Sequence, residues 1–322
     1  MTDRAELDLV VIGSSLVEIT PTEMGRSLAD VGEMTPLPSG AAANFAGVLA
    51  GLGISVGFIT RVGDDELGRW LISRLAERGI DMRFAAPVKG QMTPVSFAWM
   101  DREGAKTFYF YRFPGFCDPM GTLSAEELDA SAVTAGRLFD FTEATVRNEP
   151  LRSAALRAAE LARAAGREVC YAANYRPSSW RGQPEEVIVA TQRRACAAAD
   201  IALMNRDEAR LISGVADLGR AACQIADLGP RIVVITGGEE GALLLACGRV
   251  TEVPPRRVKV AYDIGAGDTF HAGLLAGHLR GMPPERAARF ASDAAALRIT
   301  REASAPNPTF DEVLAVTDGA PP

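Results

Sequence analysis

The segment with the clearest chemical potential is Gly265-Ala266-Gly267-Asp268-Thr269-Phe270, which follows a strand-like stretch and begins a predicted helix. Glycines at such a point let the backbone approach a ligand closely, and the first turn of a helix favours an anion such as phosphate. Asp268 would repel a phosphate unless it has a chemical task, and accepting a proton from an attacking hydroxyl is such a task. The alternative is that Asp268 only caps the helix.

Four other segments carry glycine, amide or carboxylate side chains near predicted junctions of strands and helices. They are Gly40-Ala41-Ala42-Ala43-Asn44-Phe45-Ala46, Arg61-Val62-Gly63-Asp64-Asp65-Glu66-Leu67-Gly68, Asn205-Arg206-Asp207-Glu208 and Thr236-Gly237-Gly238-Glu239-Glu240-Gly241-Ala242. With the segment at 265–270 they resemble, in the correct order, the motifs of the ribokinase (PfkB-type) family of carbohydrate kinases. Each motif alone is a weak signal, but the spaced set is specific and spans roughly residues 7 to 315.

The resemblance implies which residues perform the phosphoryl transfer. Asp268 would be the general base. The backbone at Gly265, Ala266 and Gly267, together with the Asp268 amide, would form an anion hole for the γ-phosphoryl group of ATP. Glu208, with Asn205, would organise Mg²⁺ through water, because Mg²⁺ keeps several of its waters. The alternative for Glu208 is a solvated carboxylate on a helix.

The resemblance also implies which residues line the two substrates. The positions along the nucleotide would be Asn205, Thr236, Gly238, Gly241, Gly267 and Ser292. Gly40 and Asn44 would face the sugar, since glycine permits close approach and an amide can both donate and accept hydrogen bonds. The alternative for Asn44 is a helix cap.

The chain departs from the family pattern at three places. Tyr262-Asp263-Ile264 stands where the family commonly has Asp-Thr-x, so a need for a monovalent cation stays open. Ser39 replaces the first glycine of the N-terminal pair, and Ser292-Asp293 replaces an Ala-Asn pair near the adenine.

Two further segments resemble the branch that contains 2-keto-3-deoxygluconate kinase and fructokinase. These are Phe110-Tyr111-Arg112 and Asn174-Tyr175-Arg176-Pro177 with Trp180. Phe110, Arg112 and Arg176 are therefore expected at the sugar, where two guanidinium groups could bind a carboxylate and favour a sugar acid. Simple solvation is the alternative for each arginine.

The substrate stays open at this stage. Ala172 and Ser304 stand where that branch has aspartates, and Phe110 lacks a tyrosine hydroxyl. We favour 2-keto-3-deoxygluconate, with fructose and the deoxy-keto-gluconate of the inositol pathway as alternatives.

Other classes of protein fit less well. No Gly-Lys pair exists for a P-loop, and Gly13-Ser14-Ser15-Leu16 does not supply the glycines of a dinucleotide fold. With His271 and His278 the only histidines, metal or triad chemistry centred on histidine is not expected, and His271 is expected to pack on its helix. The rival from another class is a non-catalytic sugar or nucleotide sensor, which would not need both Asp268 and Glu208.

Composition limits the partners and the compartment. A net charge of −7 disfavours nucleic acid as the main partner. The polar N-terminus and the lack of a long apolar run predict no signal peptide and no membrane span. Five scattered cysteines indicate no disulfide framework or zinc site, so we expect buried thiols in a reducing cytoplasm.

The order of predicted elements indicates an α/β fold. Strands at 7–12, 56–60, 137–142, 168–173, 201–204 and 232–236 alternate with helices at 41–52, 66–78, 151–165, 185–199, 268–280 and 284–300. This alternation predicts a single domain over residues 1–322, in three layers, with a mostly parallel central sheet. Alternating polar and apolar residues within about 14–38 and 90–114 predict a small β-sheet lid, through which we expect a homodimer.

Overall fold

The computed structural model describes residues 6–23, 25, 28–100, 106–111, 118–261, 265–302 and 305–319. In the first part the elements are β1 (Leu7–Ile12), β2 (Leu16–Pro21), β3 (Met34–Ser39), α1 (Ala41–Gly51), β4 (Val56–Gly63), α2 (Glu66–Glu77), β5 (Ile80–Asp81), β6 (Ala85–Val88), β7 (Val95–Met100) and β8 (Lys106–Tyr111).

Helices and strands continue to alternate after β8. The elements are α3 (Ala130–Thr134), β9 (Gly136–Thr142), α4 (Glu143–Val146), α5 (Leu151–Ala164), β10 (Glu168–Ala172), α6 (Glu185–Ala197), β11 (Ile201–Asn205), α7 (Arg206–Ser213), α8 (Leu218–Ala226), β12 (Ile232–Thr236), β13 (Ala242–Ala246), β14 (Arg249–Val253), α9 (Ala266–Leu279), α10 (Pro284–Ile299) and α11 (Phe310–Thr317).

The large sheet has the strand order β14-β13-β12-β11-β10-β9-β1-β4-β5, and β6 pairs with β4. All neighbours from β12 to β5 run parallel, as does the β4–β6 pair, whereas β13 and β14 are antiparallel. Because parallel strands end at one edge, the residues that follow β1, β9, β10, β11 and β12 share that edge, where ligands of such folds bind.

The sheet is covered on both faces, which confirms the predicted three-layer fold. Along β1, Leu9 and Val11 contribute to one core cluster while Val10 and Ile12 contribute to the other. The first cluster includes α1, α9 and α10, and the second includes α5, α6 and α8. Strands buried on both faces explain the nearly continuous apolar runs in the sequence.

The second sheet confirms the predicted accessory strands, in the order β3-β2-β7-β8. The chain leaves the large sheet after β1, forms β2 and β3 of the second sheet, and then continues into α1 next to the carboxyl end of β1. Residues 24, 26–27, 101–105 and 112–114 of the predicted lid lie outside the described residues. One edge is β8, where Phe108, Tyr109, Phe110 and Tyr111 are all exposed.

Two expectations need correction. The antiparallel pair β13 and β14 was not predicted. The two strands form a hairpin with no helix between them, so they fall outside the alternation of strands and helices on which the prediction was based. Cys170 and Cys196 are buried as expected, but the prediction is wrong for Cys223 and Cys247, which are exposed; Cys117 lies outside the described residues. Among the described residues, no helix is long and apolar enough to cross a membrane.

Candidate functional site

The start of α9 forms an open cradle of backbone amides. Gly265 is the N-cap with φ of 86°, a left-handed conformation that favours glycine, and its carbonyl accepts from Thr269 N at 2.8 Å. The amides of Ala266, Gly267 and Asp268 lie in the first turn, where N–H groups have no acceptor within the helix. A Cβ added to Gly267 would meet no atom of the described residues within 4 Å, so these residues leave space beside the amides. This geometry can hold an anion.

Asp268 is not the cap of this helix. It occupies the third helical position, and the N-cap has no side-chain hydrogen bond, so the capping interpretation is wrong. Burial raises the pKa of the Asp268 carboxyl, while the charges of His271 and Arg176 act in the opposite direction. The charge of Arg176, which is far from Asp268 in sequence, therefore acts on the Asp268 carboxyl in the folded chain.

Glu208 is buried, with an exposed fraction of only 5%, so its interpretation as a solvated carboxylate is wrong. It forms a capping box with Asn205: Glu208 N donates to Asn205 Oδ1 at 2.9 Å and Asn205 N donates to Glu208 Oε2 at 2.7 Å. The other carboxylate oxygen, Oε1, accepts from Tyr175 N at 2.6 Å. Burial raises the pKa of Glu208, and these hydrogen bonds and the Arg176 charge oppose that effect.

The loop after β10 carries Arg176 between two anchors. Asn174 has φ of 33°, and Tyr175 N is bound to Glu208 as described. At the other end Trp180 is buried and its Nε1 donates to Glu143 Oε1. Arg176 itself is exposed, yet its charge acts on both Asp268 and Glu208. Hence the loop links the predicted sugar side to the predicted metal side.

Glu143 is a site-supporting residue that sequence reasoning missed. It is fully buried and binds Arg147 in a bidentate manner, with Nε–Oε1 at 3.0 Å and Nη2–Oε2 at 2.8 Å, in addition to Trp180. The sequence did contain an indication of this ion pair, because Glu143 and Arg147 are spaced i, i+4 directly after β9.

At the predicted sugar side, Gly40 begins α1 as its N-cap. Its φ is 116°, and an added Cβ would lie 2.8 Å from the Ser14 carbonyl oxygen, so the position requires glycine. Asn44 lies one turn later, inside the helix, and its backbone N donates to Gly40 O at 2.8 Å. The interpretation of Asn44 as a helix cap is therefore wrong. Ser39, which departs from the family glycine, donates its hydroxyl to Glu18 Oε2 at 3.4 Å.

At the predicted nucleotide side, Asn205 and Thr236 are register partners at the ends of β11 and β12. Gly238 and Gly241 follow with φ of 59° and 82° and form the turn into β13. Thr236 Oγ1 donates to Met204 O at 3.4 Å. Asn205, Thr236 and Gly238 thus lie together at the same sheet edge as Glu208.

The Ser292-Asp293 departure has a local explanation. Ser292 is half-buried on α10, whereas Asp293 is fully buried and forms ion pairs with Arg256 and, at 3.5 Å, with Arg289 Nε. A buried carboxylate needs such partners, and the chain supplies two guanidinium groups.

Some predicted residues are not brought into the site by the described structure. Phe110 is 61% exposed on β8 and stacks on Phe108 with ring centroids 6.2 Å apart. Arg112, the 262–264 segment and Ser304 lie outside the described residues.

An amide cradle, a partly buried carboxylate beside it and a second carboxylate at the same sheet edge are groups of the kinds that transfer of a phosphoryl group uses. The chain belongs to the pfkB family of carbohydrate kinases, whose model matches residues 6–309, and it is a phosphotransferase that acts on sugars.

Named relatives and solved structures extend this comparison. The chain is 32% identical over 286 residues to a fructokinase from Klebsiella pneumoniae, covering 88% of this chain and 89% of the relative. It is 28% identical over 328 residues to 5-dehydro-2-deoxygluconokinase from Shouchella clausii, covering 97% and 96%. A crystal structure of an Escherichia coli protein assigned as a ribokinase II, in complex with ATP and Mg²⁺, superposes with a TM-score of 0.84 at 24% identity, covering 97% and 99%.

Proposed function

We propose that the protein transfers the γ-phosphoryl group of ATP to a hydroxyl of a small sugar or sugar acid, with 2-keto-3-deoxygluconate as the first candidate. Fructose and the deoxy-keto-gluconate of the inositol pathway are the alternatives, and two relatives are named for kinases of these kinds. The observation that carries the proposal is the position of Asp268, in the first turn of α9 beside amides that have no acceptor within the helix, where the charge of Arg176 acts on it.

Asp268 acts as the general base in this mechanism. Its carboxylate accepts the proton of the sugar hydroxyl as that oxygen attacks the γ-phosphorus, and ADP leaves on the opposite side. The backbone at Gly265, with the amides of Ala266 and Gly267, stabilises the charge on the transferring group. Gly40 and Asn44 hold the sugar. The sugar-binding roles of Phe110, which is exposed on β8, and of Arg112, which lies outside the described residues, stay predictions.

The nucleotide lies along Asn205, Thr236, Gly238, Gly241 and Ser292, which share the sheet edge with the start of α9 or lie on the adjacent helix α10. A structural neighbour from Escherichia coli was solved in complex with ATP and Mg²⁺, which supports ATP as the phosphoryl donor.

Glu208 fits an outer-sphere role toward Mg²⁺. Both of its oxygens already accept backbone N–H groups, from Asn205 and Tyr175, so direct ligation is not the arrangement that the structure favours. Each carboxylate oxygen retains a further lone pair that can accept from a metal-bound water. When bound, Mg²⁺ neutralises charge on the phosphates.

Arg176 selects an acidic sugar. Arg176→Lys keeps the positive charge but loses the bidentate geometry, so KM for an acid substrate should rise about tenfold while kcat changes less. Steady-state kinetics of the wild type and of Arg181→Lys, another exposed arginine close by in the chain, provide the comparison. An unchanged KM in both Arg176→Lys and Arg176→Ala would show that no carboxylate is bound there.

Release of ADP from ATP tests the proposal directly. The wild-type protein is supplied with a panel of neutral sugars, aldonic acids and keto-deoxy acids. Turnover that depends on one of these sugars supports the kinase, and its identity gives the substrate. Saturable binding of sugar without turnover would instead support the sensor.

The exposed edge of the lid supports a homodimer. Tyr109 and Tyr111 are each 54% exposed and lie on the edge strand β8, together with Phe108 and Phe110. Aromatic side chains on an open sheet edge favour pairing with a second copy. We expect a dimer in sedimentation velocity at micromolar concentration, and Phe110→Lys should shift it to monomer. A wild-type protein that is monomeric at that concentration would contradict the proposed dimer but not the proposed kinase activity.

The proposed compartment is the cytoplasm, and the proposed partners are ATP and the sugar, without nucleic acid or membrane. The five cysteines are scattered along the sequence without the spacing of a disulfide framework, which supports a reducing environment.

A further inference from the structure

Two buried carboxylates, one on β9 and one directly after it, face different parts of the protein. Asp140 lies 2.9 Å from Nε2 of His271, whose ring therefore contacts the central sheet, and the expectation that it packs on its own helix is wrong. Glu143, at the start of α4, instead faces the loop that follows β10. The mechanism proposed above uses Asp268 and Glu208 and assigns no role to Glu143.

Glu143 has one more hydrogen-bond donor than compensation of its charge requires. The ion pair with Arg147, on the same helix, already supplies a guanidinium group to the buried carboxylate. The further donor, Nε1 of Trp180, comes from a different part of the chain and binds Oε1. A buried indole N–H needs an acceptor, and Trp180 is only 2% exposed. The contact therefore ties Trp180 to the segment after β9.

Trp180 is joined to Arg176 by one short turn. A 3₁₀ helix spans Pro177–Trp180, Arg176 is its N-cap, and Ser179 N donates to Arg176 O at 2.9 Å. Pro177 restricts the residue before it to extended conformations, and Arg176 has φ of −120° and ψ of 97°. A displacement of Trp180 would therefore change the position of the Arg176 backbone.

The loop is also held before Arg176 and at its base. Tyr175 N donates to Glu208 Oε1 at 2.6 Å. At the base, the hydroxyl of Tyr171 on β10 donates to Oε1 of Gln192 on α6, and both residues are buried. Since the tryptophan contact holds the part of the loop that follows, the backbone is fixed on both sides of Arg176.

The side chain of Arg176 is exposed although its backbone is held in this way. An arginine on a fixed backbone has only its own side chain to order when a carboxylate binds, whereas a loose loop would have to be ordered as well. We infer that Glu143 and Trp180 are positioning residues for substrate selection, which hold Arg176 where it can bind the carboxylate of an acidic sugar. This inference rests on the proposed function, and in particular on the role of Arg176.

The first test compares KM and kcat in Trp180→Phe. Phenylalanine keeps an aromatic ring in the buried position but removes the N–H that binds Glu143. The loop must then be ordered when the sugar binds, so KM for the acidic sugar should rise about three- to tenfold. The values of kcat and of KM for ATP should stay close to those of the wild type, because the proposed base and the nucleotide side keep their contacts.

Glu143→Asp tests the same contact from the other side. The shorter side chain keeps a negative charge beside Arg147 but withdraws the carboxylate from Trp180 by one methylene. KM for the acidic sugar should rise as it does in Trp180→Phe. This variant decides the question if Trp180→Phe does not fold.

A double-mutant cycle separates positioning of Arg176 from a general structural role. If Trp180 acts through Arg176, its substitution should have little further effect on KM in an Arg176→Ala background, because the group that it positions is gone. The same cycle applies to Glu143→Asp. An equal rise in KM with and without the Arg176 side chain would show that the contact acts elsewhere and would overturn the inference.

Trp70→Phe is the matched control. Trp70 is half-buried on α2, where Cζ of Arg74 lies 5.9 Å from its ring centroid. The same substitution there removes an indole without changing the contacts of the Arg176 loop. KM for the acidic sugar should therefore match the wild type.

The possible failures are distinguishable. An acidic sugar whose KM depends on Arg176 but is unchanged in both Trp180→Phe and Glu143→Asp would overturn this inference alone. A KM that does not respond to Arg176→Ala, or a best substrate without a carboxylate, would overturn the proposed binding of an acid and this inference with it. A wild type without sugar-dependent turnover would overturn the whole proposed function.

Discussion

Asp268→Asn is expected to lower kcat by roughly 10²–10⁴-fold while the affinity for ATP is kept or slightly improved. The substitution is nearly isosteric and removes both the negative charge and the proton acceptor. The loss should fall on kcat, because the base acts in the transition state and not in binding of the nucleotide. Loss of an anion beside the amide cradle removes repulsion toward the γ-phosphate.

The measurement combines single-turnover kinetics with nucleotide titration. Asp311→Asn is the matched control, because Asp311 is an exposed aspartate in the first turn of α11 and should leave kcat unchanged. Retention of a tenth or more of the wild-type kcat by Asp268→Asn would show that Asp268 is not the base.

Glu208→Gln is expected to raise the Mg²⁺ concentration for half-maximal activity by about tenfold or more, as for other outer-sphere partners of metals. The amide removes the negative charge and supplies only one acceptor for the two backbone donors, Asn205 N and Tyr175 N. One buried N–H then loses its acceptor, which should cost about 1–3 kcal/mol of unfolding free energy. Since Tyr175 precedes Arg176, KM for an acidic sugar should rise as well.

The chain contains its own control for this variant. Thr309 and Glu312 form a second capping box, at the start of α11, with Thr309 N donating to Glu312 Oε2 at 2.7 Å. Glu312→Gln removes an equivalent capping carboxylate at a distant helix, so its Mg²⁺ titration should match the wild type. An unchanged titration in Glu208→Gln would assign Glu208 a purely structural role.

The parts of the structure that sequence could predict are those governed by local pattern. The apolar runs at Leu7–Ile12 and Ile232–Thr236 have the lengths of buried strands, and the structure has strands with those bounds. Gly265 and Gly40 were predictable as special backbone positions, because their left-handed conformations exclude most other residues.

The parts that sequence could not predict depend on contacts between distant elements. The contact of Asp140 with His271 joins residues on β9 and α9 that no local pattern relates. The donor in the hydrogen bond from Tyr175 N to Glu208 is a backbone N–H. Every residue except proline has this group, so the residue type at position 175 does not indicate the hydrogen bond. The placement of individual roles at the site remains a set of predictions.

The stereochemistry of phosphoryl transfer is the most direct test of the proposed mechanism. ATP whose γ-phosphate is made chiral with oxygen isotopes is used to phosphorylate the best sugar, and the configuration of the product is determined. The proposed mechanism is a single in-line displacement by the sugar hydroxyl, activated by Asp268, with no phosphorylated enzyme. It therefore predicts inversion at phosphorus. Retention would require two displacements through an enzyme-bound phosphoryl group and would contradict the role assigned to Asp268.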